Sequence, residues 1–435
     1  MKKSAVISLI TLFLSFGVQL LANRQLGPSG RGDYALLLLL PQTAGALLAF
    51  GFPSAIVYFF NRKPEKFRLY FFSSAAAIVA LGFVGVMVCW WLVPSIFSRA
   101  NLHLGRGELA LLGGAGAVIV ALATFAASAT QIHPERHFYE KARLVQVTVL
   151  LTGIGVCFAM GSLSPLKLFF LFCASYGAQF AVGFFVSILN IRALPSAIAT
   201  GFDRGYLRFA GSVFLMDAFS TLAVNLDKFF LASRVSMAEI GMYAAAFALS
   251  RVFAPIAQTL AFRTFSESAS MKPGDRSAHT IARARFIALF SFATVAPLIV
   301  APQIILSLLF GESFRAGSLP LVILAVESVL GNVLWNAAQI FAADGKPGVT
   351  AIRQAGGLVM LLISCPLLIA LWGISGCATA LLLATLTRGI ITLVVLSRQH
   401  GISARSLIPG RADLRIVFAP VLRRLTFFQT QYAKN

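Results

Sequence analysis

Ser4-Ala-Val-Ile-Ser-Leu-Ile-Thr-Leu-Phe-Leu-Ser-Phe-Gly-Val-Gln-Leu-Leu-Ala-Asn23 carries no charged side chain. As an α-helix rising about 1.5 Å per residue it matches the roughly 30 Å hydrocarbon core of a bilayer. Outward from it the pattern recurs at Tyr34–Phe60, Tyr70–Phe97, Ala110–Thr130, Leu144–Leu163, Leu168–Asn190, Phe209–Ala232, Gly241–Phe265, Phe286–Phe310, Leu319–Ala342, Val349–Leu371 and Ile374–Leu396. An all-α integral membrane protein of about 12 transmembrane helices is therefore expected. Lys2 and Lys3 before the first run look like the start of a signal peptide. The run is long, however, no small-x-small cleavage site follows, and the region recurs mid-chain, so it reads as a first span.

With 58% hydrophobic and 12% charged residues, the composition lies far from that of a soluble domain, and the net charge of +21 reports sidedness. If the N-terminus is cytoplasmic, the inner loops and tails collect 26 Lys and Arg and the outer side 8, with Arg251 and Arg388 inside spans. That bias fits positive-inside orientation, with both termini in the cytoplasm. The basic residues are scattered over short loops without an aromatic-interleaved groove, which excludes nucleic acid as a partner. Cys89, Cys157, Cys173, Cys365 and Cys377 fall inside spans and read as small buried hydrophobes. His133 and His137 are four apart, but Pro134 lies between them and no further ligand is nearby, so no metal site and no cofactor is expected. Arg31-Gly32-Asp33 reads as a short outer turn between spans, and Gly345-Lys346-Pro347-Gly348 as a cytoplasmic turn without P-loop spacing. Pro41, Pro53, Pro255, Pro297 and Pro366 interrupt spans and are candidate bending points.

The chain repeats itself. Residues 23–35 and 232–244 each end one span and open the next, and at an offset of 209 residues Gly32 meets Gly241, Tyr34 meets Tyr243 and Ala35 meets Ala244. Six spans per half is an even number, so two six-helix lobes should be related by a pseudo-two-fold axis along the membrane normal. The expected division is an N-terminal lobe at 1–195, a cytoplasmic linker at 196–208, a C-terminal lobe at 209–397 and a basic cytoplasmic tail at 398–435. In that tail Leu414, Val417, Val421, Leu425 and Phe428 beside Arg415, Arg423 and Arg424 suggest a helix lying on the inner membrane surface.

Three stretches carry a resemblance: Leu26-Gly-Pro-Ser-Gly-Arg-Gly-Asp-Tyr-Ala35; Asn225-Leu-Asp-Lys228 followed by Gly241-Met-Tyr-Ala244; and Leu309-Phe-Gly-Glu-Ser-Phe314. In order and spacing the chain resembles, to about residue 400, the polysaccharide-flippase branch of the multidrug/oligosaccharidyl-lipid/polysaccharide exporter superfamily. The resemblance implies two lobes facing a central cavity and alternating access. The implied cargo is an undecaprenyl-pyrophosphate-linked oligosaccharide, moved across the bacterial inner membrane for surface polysaccharide such as O-antigen or exopolysaccharide. A polysaccharide polymerase is a candidate partner.

Ionisable groups at bilayer depth cost roughly 2.5–3.5 kcal/mol each on insertion scales, so they persist where there is a partner, a watery cavity or a task. Asp217, Arg251, Glu327 and Arg388 are the deep ones, all in the second half. Helical spacing aligns Asp217, Thr221 and Lys228, with Asn225 and Asp227 on the flanks; Arg251 with Gln258; and Thr385 with Arg388 and Thr392. One reading makes Asp217, Glu327, Asn225 and Asp227 a site for a coupling cation, H+ or Na+, and gives Arg251, Arg388, Gln258 and Lys228 to the anionic substrate. The other pairs Asp217 with Arg388 and Glu327 with Arg251 as structural ion pairs. Two functional alternatives remain: a drug/cation antiporter of the same superfamily, and a membrane-embedded glycan polymerase or ligase. Against an enzyme, the outer loops are short and hold no carboxylate pair or His-Arg cluster.

Overall fold

In lipid a backbone N–H or C=O has no water to bond, so an open chain can cross only as helix. The computed structural model describes residues 2–60, 62–96, 105–132, 137–193, 203–344, 346–410 and 413, and every regular element among them is helical. The helices are α1 (Lys2–Leu48), α2 (Phe52–Phe60), α3 (Phe67–Ile96), α4 (Arg106–Ala129), α5 (Phe138–Ala159), α6 (Pro165–Ala193) and α7 (Arg204–Ala232). They continue as α8 (Met237–Ser250), α9 (Ala254–Ser270), α10 (Pro273–Val300), α11 (Pro302–Phe310), α12 (Ser318–Ala337), α13 (Gln339–Ala343) and α14 (Pro347–His400). The loop at 97–104, His133 and the tail stripe from Leu414 onward lie outside the described residues.

Nine segments among the described residues are long and apolar enough to cross a membrane. Two of them, Val6–Phe60 and Gly348–His400, run for 55 and 53 residues. Each is too long for one crossing of about 20 residues, and each is broken. In α1 the break is at Gly27 (φ 64°), and in α14 at Trp372 and Gly373 (φ 53°). Positive φ favours glycine, and Pro28 restarts the helix at once because its fixed φ suits a first turn. The outer turn expected around Arg31-Gly32-Asp33 is therefore absent. These residues are helical, and Arg31 and Asp33 are buried.

Further breaks fall at Phe50–Gly51, Arg251–Phe253 and Ala301. The spans read as Tyr34–Phe60, Gly241–Phe265 and Phe286–Phe310 are thus each two helices. Pro53 and Pro255 sit in the first turns after breaks, whereas Pro41, Pro297 and Pro366 remain inside helices. Proline marks only some of the bends.

The residues form two compact units. Unit 1 comprises residues 1–248, 303–318 and 365–377. Here α4 packs against α1, α3 and α6. Its buried face is Gly113, Gly114, Gly116, Ala117, Ala121 and Ala123, small residues that let membrane helices approach closely. An aromatic-rich core joins Phe52, Phe59, Phe67, Phe71, Phe125 and Tyr206. Unit 2 comprises residues 249–302, 319–364 and 378–435. It has α9 against α10 and α13, over a core that includes Ala284, Ile340, Phe341 and Leu396. Large apolar side chains such as Phe13, Phe83, Trp91 and Leu371 point outward, as expected where lipid is the solvent.

Candidate functional site

Within unit 2, Arg251 occupies the break that separates α8 from α9. A cation is favoured there, because the last carbonyls of a helix lack intrahelical partners and carry the negative end of its dipole. Arg251 Nη2 donates to Glu327 Oε2 at 2.6 Å, forming an ion pair with α12. Glu327 Oε1 accepts from Thr385 Oγ1 at 2.7 Å, and Thr385 Oγ1 accepts from Arg388 Nη2 at 3.0 Å. Arg388 lies against Gly357, where a Cβ would come within 2.7 Å of Arg388 Cγ.

Arg353 completes the group. It is 3% exposed, stacks 5.3 Å from the centre of the Trp335 ring, and its Nε has no hydrogen-bond partner. It repels Arg388 electrostatically, and Arg388 repels Arg251. Arg251 and Arg388 thus flank Glu327, and Arg353 lies beside Arg388, an arrangement with surplus positive charge. Sequence reasoning counted Arg353 with a basic loop. The available signal was its position inside a helical run opened by Pro347, four residues before Gly357. Gln258 does not join the cluster: it is exposed, and the break at 251–253 removes the helical register that aligned it with Arg251.

Within unit 1 the polar end of α7 is tightly tied. Asp227 is fully buried and accepts from the Tyr243 hydroxyl at 2.6 Å, with Lys228 Nζ 3.7 Å from its other oxygen. Lys228 donates to Val224 O and Asn225 Oδ1, and its ammonium lies 4.5 Å from the Phe247 ring centre. Asp217 is exposed on α7, and among the described residues it has no hydrogen bond or ion pair.

A cavity of about 390 Å³ opens among α1, α4, α5 and α6. Tyr139, Arg143, Gln146 and Leu150 reach it from α5 at steps of four, three and four, one helical face, with Gln19, Tyr176 and Gln179 from neighbouring helices. Among the described residues no carboxylate lines it. Arg31 Nη2 donates to Gln19 Oε1 at 2.9 Å. The stripe on α5 is legible in the sequence by its spacing alone.

At the start of α7, Asp203 Oδ2 accepts from Lys63 Nζ at 2.7 Å and from the Tyr70 hydroxyl at 2.8 Å, while Oδ1 caps Gly205 N–H. These bonds, Lys63 first, hold its carboxyl well below the usual carboxylate range. Among the described residues no group of three His, Cys, Asp or Glu is placed to hold a metal.

The repeat makes a contact with itself. A Cβ on Gly32 would collide with Met237 O, and one on Gly241 with Pro28 O. At the 209-residue offset Met237 is the counterpart of Pro28, as Gly241 is of Gly32. Reciprocal contacts of this kind are what a local two-fold produces.

Helices long and apolar enough to cross a membrane, several of them broken, together with an internal repeat, define an all-helical membrane protein. Comparison with solved structures agrees on the fold. The lipid II flippase MurJ in an inward closed conformation aligns with a TM-score of 0.76 at 12% identity, covering 99% of this chain and 93% of MurJ. An inward-facing multidrug resistance MATE transporter of the MOP superfamily aligns at 0.70 and 15% identity, covering 91% and 96%. A MOP superfamily transporter from Pyrococcus furiosus, described by the reverse polarity of its binding pocket, aligns at 0.59 and 14%, covering 90% and 92%. No curated protein sequence matches. Residues 20–318 match the family described as polysaccharide biosynthesis protein, and the chain belongs to that family.

Proposed function

We propose that the protein is a flippase, a transporter and not an enzyme, that moves undecaprenyl-pyrophosphate-linked oligosaccharide repeat units across the bacterial inner membrane for surface polysaccharide. The observation that carries this reading is the sign of the charge at these sites. In unit 2 Arg251 and Arg388 flank Glu327 with Arg353 beside Arg388, and in unit 1 the cavity is lined by Arg143 and, among the described residues, by no carboxylate. An organic cation would need uncompensated carboxylates, whereas a pyrophosphate calls for surplus arginine, whose planar fork suits its oxygens.

In this reading the 55- and 53-residue segments each cross twice, α8 and α9 together cross once, and twelve crossings form two six-helix lobes, 1–195 and 209–397, about a pseudo-two-fold axis. The Gly32 and Gly241 contact supports the axis. Alternating access moves the substrate, and Asp217, the exposed carboxylate of α7, is the candidate for a coupling H+ or Na+. Glu327 is the second candidate, in competition with Arg251. Asp227, Asn225 and Lys228 serve better as the clasp of α7 to α8.

Deleting the gene tests the assignment. Lipid-linked repeat units should accumulate on the cytoplasmic face and surface polysaccharide should disappear. Normal polysaccharide together with lost resistance to cationic dyes would favour the drug-antiporter reading instead.

A further inference from the structure

Resting on the flippase reading, we propose that the cavity inside unit 1 is a subsite for the hydroxyl-rich glycan of the substrate. A lipid-linked oligosaccharide presents two surfaces, a pyrophosphate that demands cations and a sugar that demands paired donors and acceptors. The cavity has the second character. Gln19, Gln146 and Gln179 each carry a donor and an acceptor in one plane, the pairing that neighbouring sugar hydroxyls match. Tyr139 and Tyr176 add hydroxyls and ring faces against which the C–H face of a pyranose can lie.

Two details show that these groups are set for a ligand. The carbonyl oxygen of Gln179 is buried without a hydrogen-bond partner, a deficit that a ligand hydroxyl would fill. Arg31 can only donate, so its bond to Gln19 Oε1 fixes the orientation of that amide. The volume of about 390 Å³ sits toward the lower end of small-molecule sites. Among the described residues no carboxylate lines the cavity, so it offers a cationic drug no counter-charge, and its polar wall with the unpaired Gln179 oxygen suits an acyl chain poorly.

The full chain in nanodiscs supplies the test. The probes are the lipid-linked repeat unit extracted from polymerase-deficient host cells, and undecaprenyl pyrophosphate without sugar. Wild type should bind the glycosylated lipid more tightly than the bare one. Gln179→Leu should weaken the glycosylated lipid about tenfold, the scale of one good hydrogen bond, and leave the bare lipid unaffected. Arg388→Ala should weaken both. If Gln179→Leu does not fold, Tyr139→Phe, which removes one hydroxyl at unchanged shape, takes its place. Equal wild-type affinity for the two lipids, or a cavity variant that weakens both alike, overturns the glycan subsite while leaving the flippase reading intact. Wild-type protein that binds neither lipid overturns both.

Discussion

Glu327 is held from two sides, by the Arg251 guanidinium and the Thr385 hydroxyl, so removing either charge of the pair leaves the other without its partner in a low-dielectric setting. Breaking a buried pair costs about 3–5 kcal/mol, and because Arg251 is 27% exposed the lower end applies. Arg251→Ala and Glu327→Ala should therefore each lower the amount of folded protein in the membrane, and the double variant should restore it. The export of polysaccharide then separates the roles. If Arg251 binds the pyrophosphate, the stable double variant exports nothing; recovered export would leave the arginine a structural partner only. Among the described residues no carboxylate pairs with Arg353, so Arg353→Ala should keep abundance and lose flipping, with Arg353→Lys retaining part of it as a point charge. Asp203 offers a test by pH. Its pKa is depressed in the folded protein, so its contribution is complete above the unfolded value of about 3.9 and fades as the pH falls below it. Lys63 is 43% exposed, which keeps that contribution small. The gap in unfolding temperature between wild type and Asp203→Asn should be open at pH 7 and narrow below about pH 4.

At the scale of the helix, the contact between Gly32 and Gly241 sets the spacing of two elements, since each presents bare backbone to a carbonyl of the other. Gly241→Val should push them apart and reduce folded protein, as Gly32→Val should through the mirror contact, and membrane abundance by immunoblot measures both. Equal tolerance of valine and alanine at both positions would show that the approach is not required. The repeat behind this meeting was visible as three identities at one offset, though the contact itself was not. Apolar length revealed the crossings equally well, because lipid leaves the backbone no alternative to helix. The breaks were harder. Gly27-Pro28 announces itself, but Arg251-Val252-Phe253 contains no glycine or proline, and only Pro255 after it hints at a restart. Hydropathy averages over such a break, so the Arg251 and Gln258 stripe looked continuous when it was not. Arg353 was hidden for a related reason: loop counting by charge cannot tell an arginine that snorkels to water from one that stacks on Trp335.

For the whole molecule, the charge bias and the crossing count must agree. Arg31 and Arg353 are buried, and removing them from the loops leaves 25 inner against 7 outer basic residues, so the bias strengthens in ratio from the original 26 against 8. On the positive-inside rule that ratio predicts a cytoplasmic N-terminus. The C-terminus then depends on parity. With Val6–Phe60 and Gly348–His400 each crossing twice the total is even and Asn435 returns to the cytoplasm, whereas one of these segments crossing once makes it odd. Reporter fusions after Lys66, Arg285 and Asn435 should read cytoplasmic, and one within residues 97–105 periplasmic. Because Gly27 and Gly373 are the points at which the long segments would turn back, a reporter at Asn435 is the most informative of the set. A periplasmic reading there, with Lys66 and Arg285 still cytoplasmic, would mean that Gly348–His400 crosses once, and the two-lobe symmetry would fall with it.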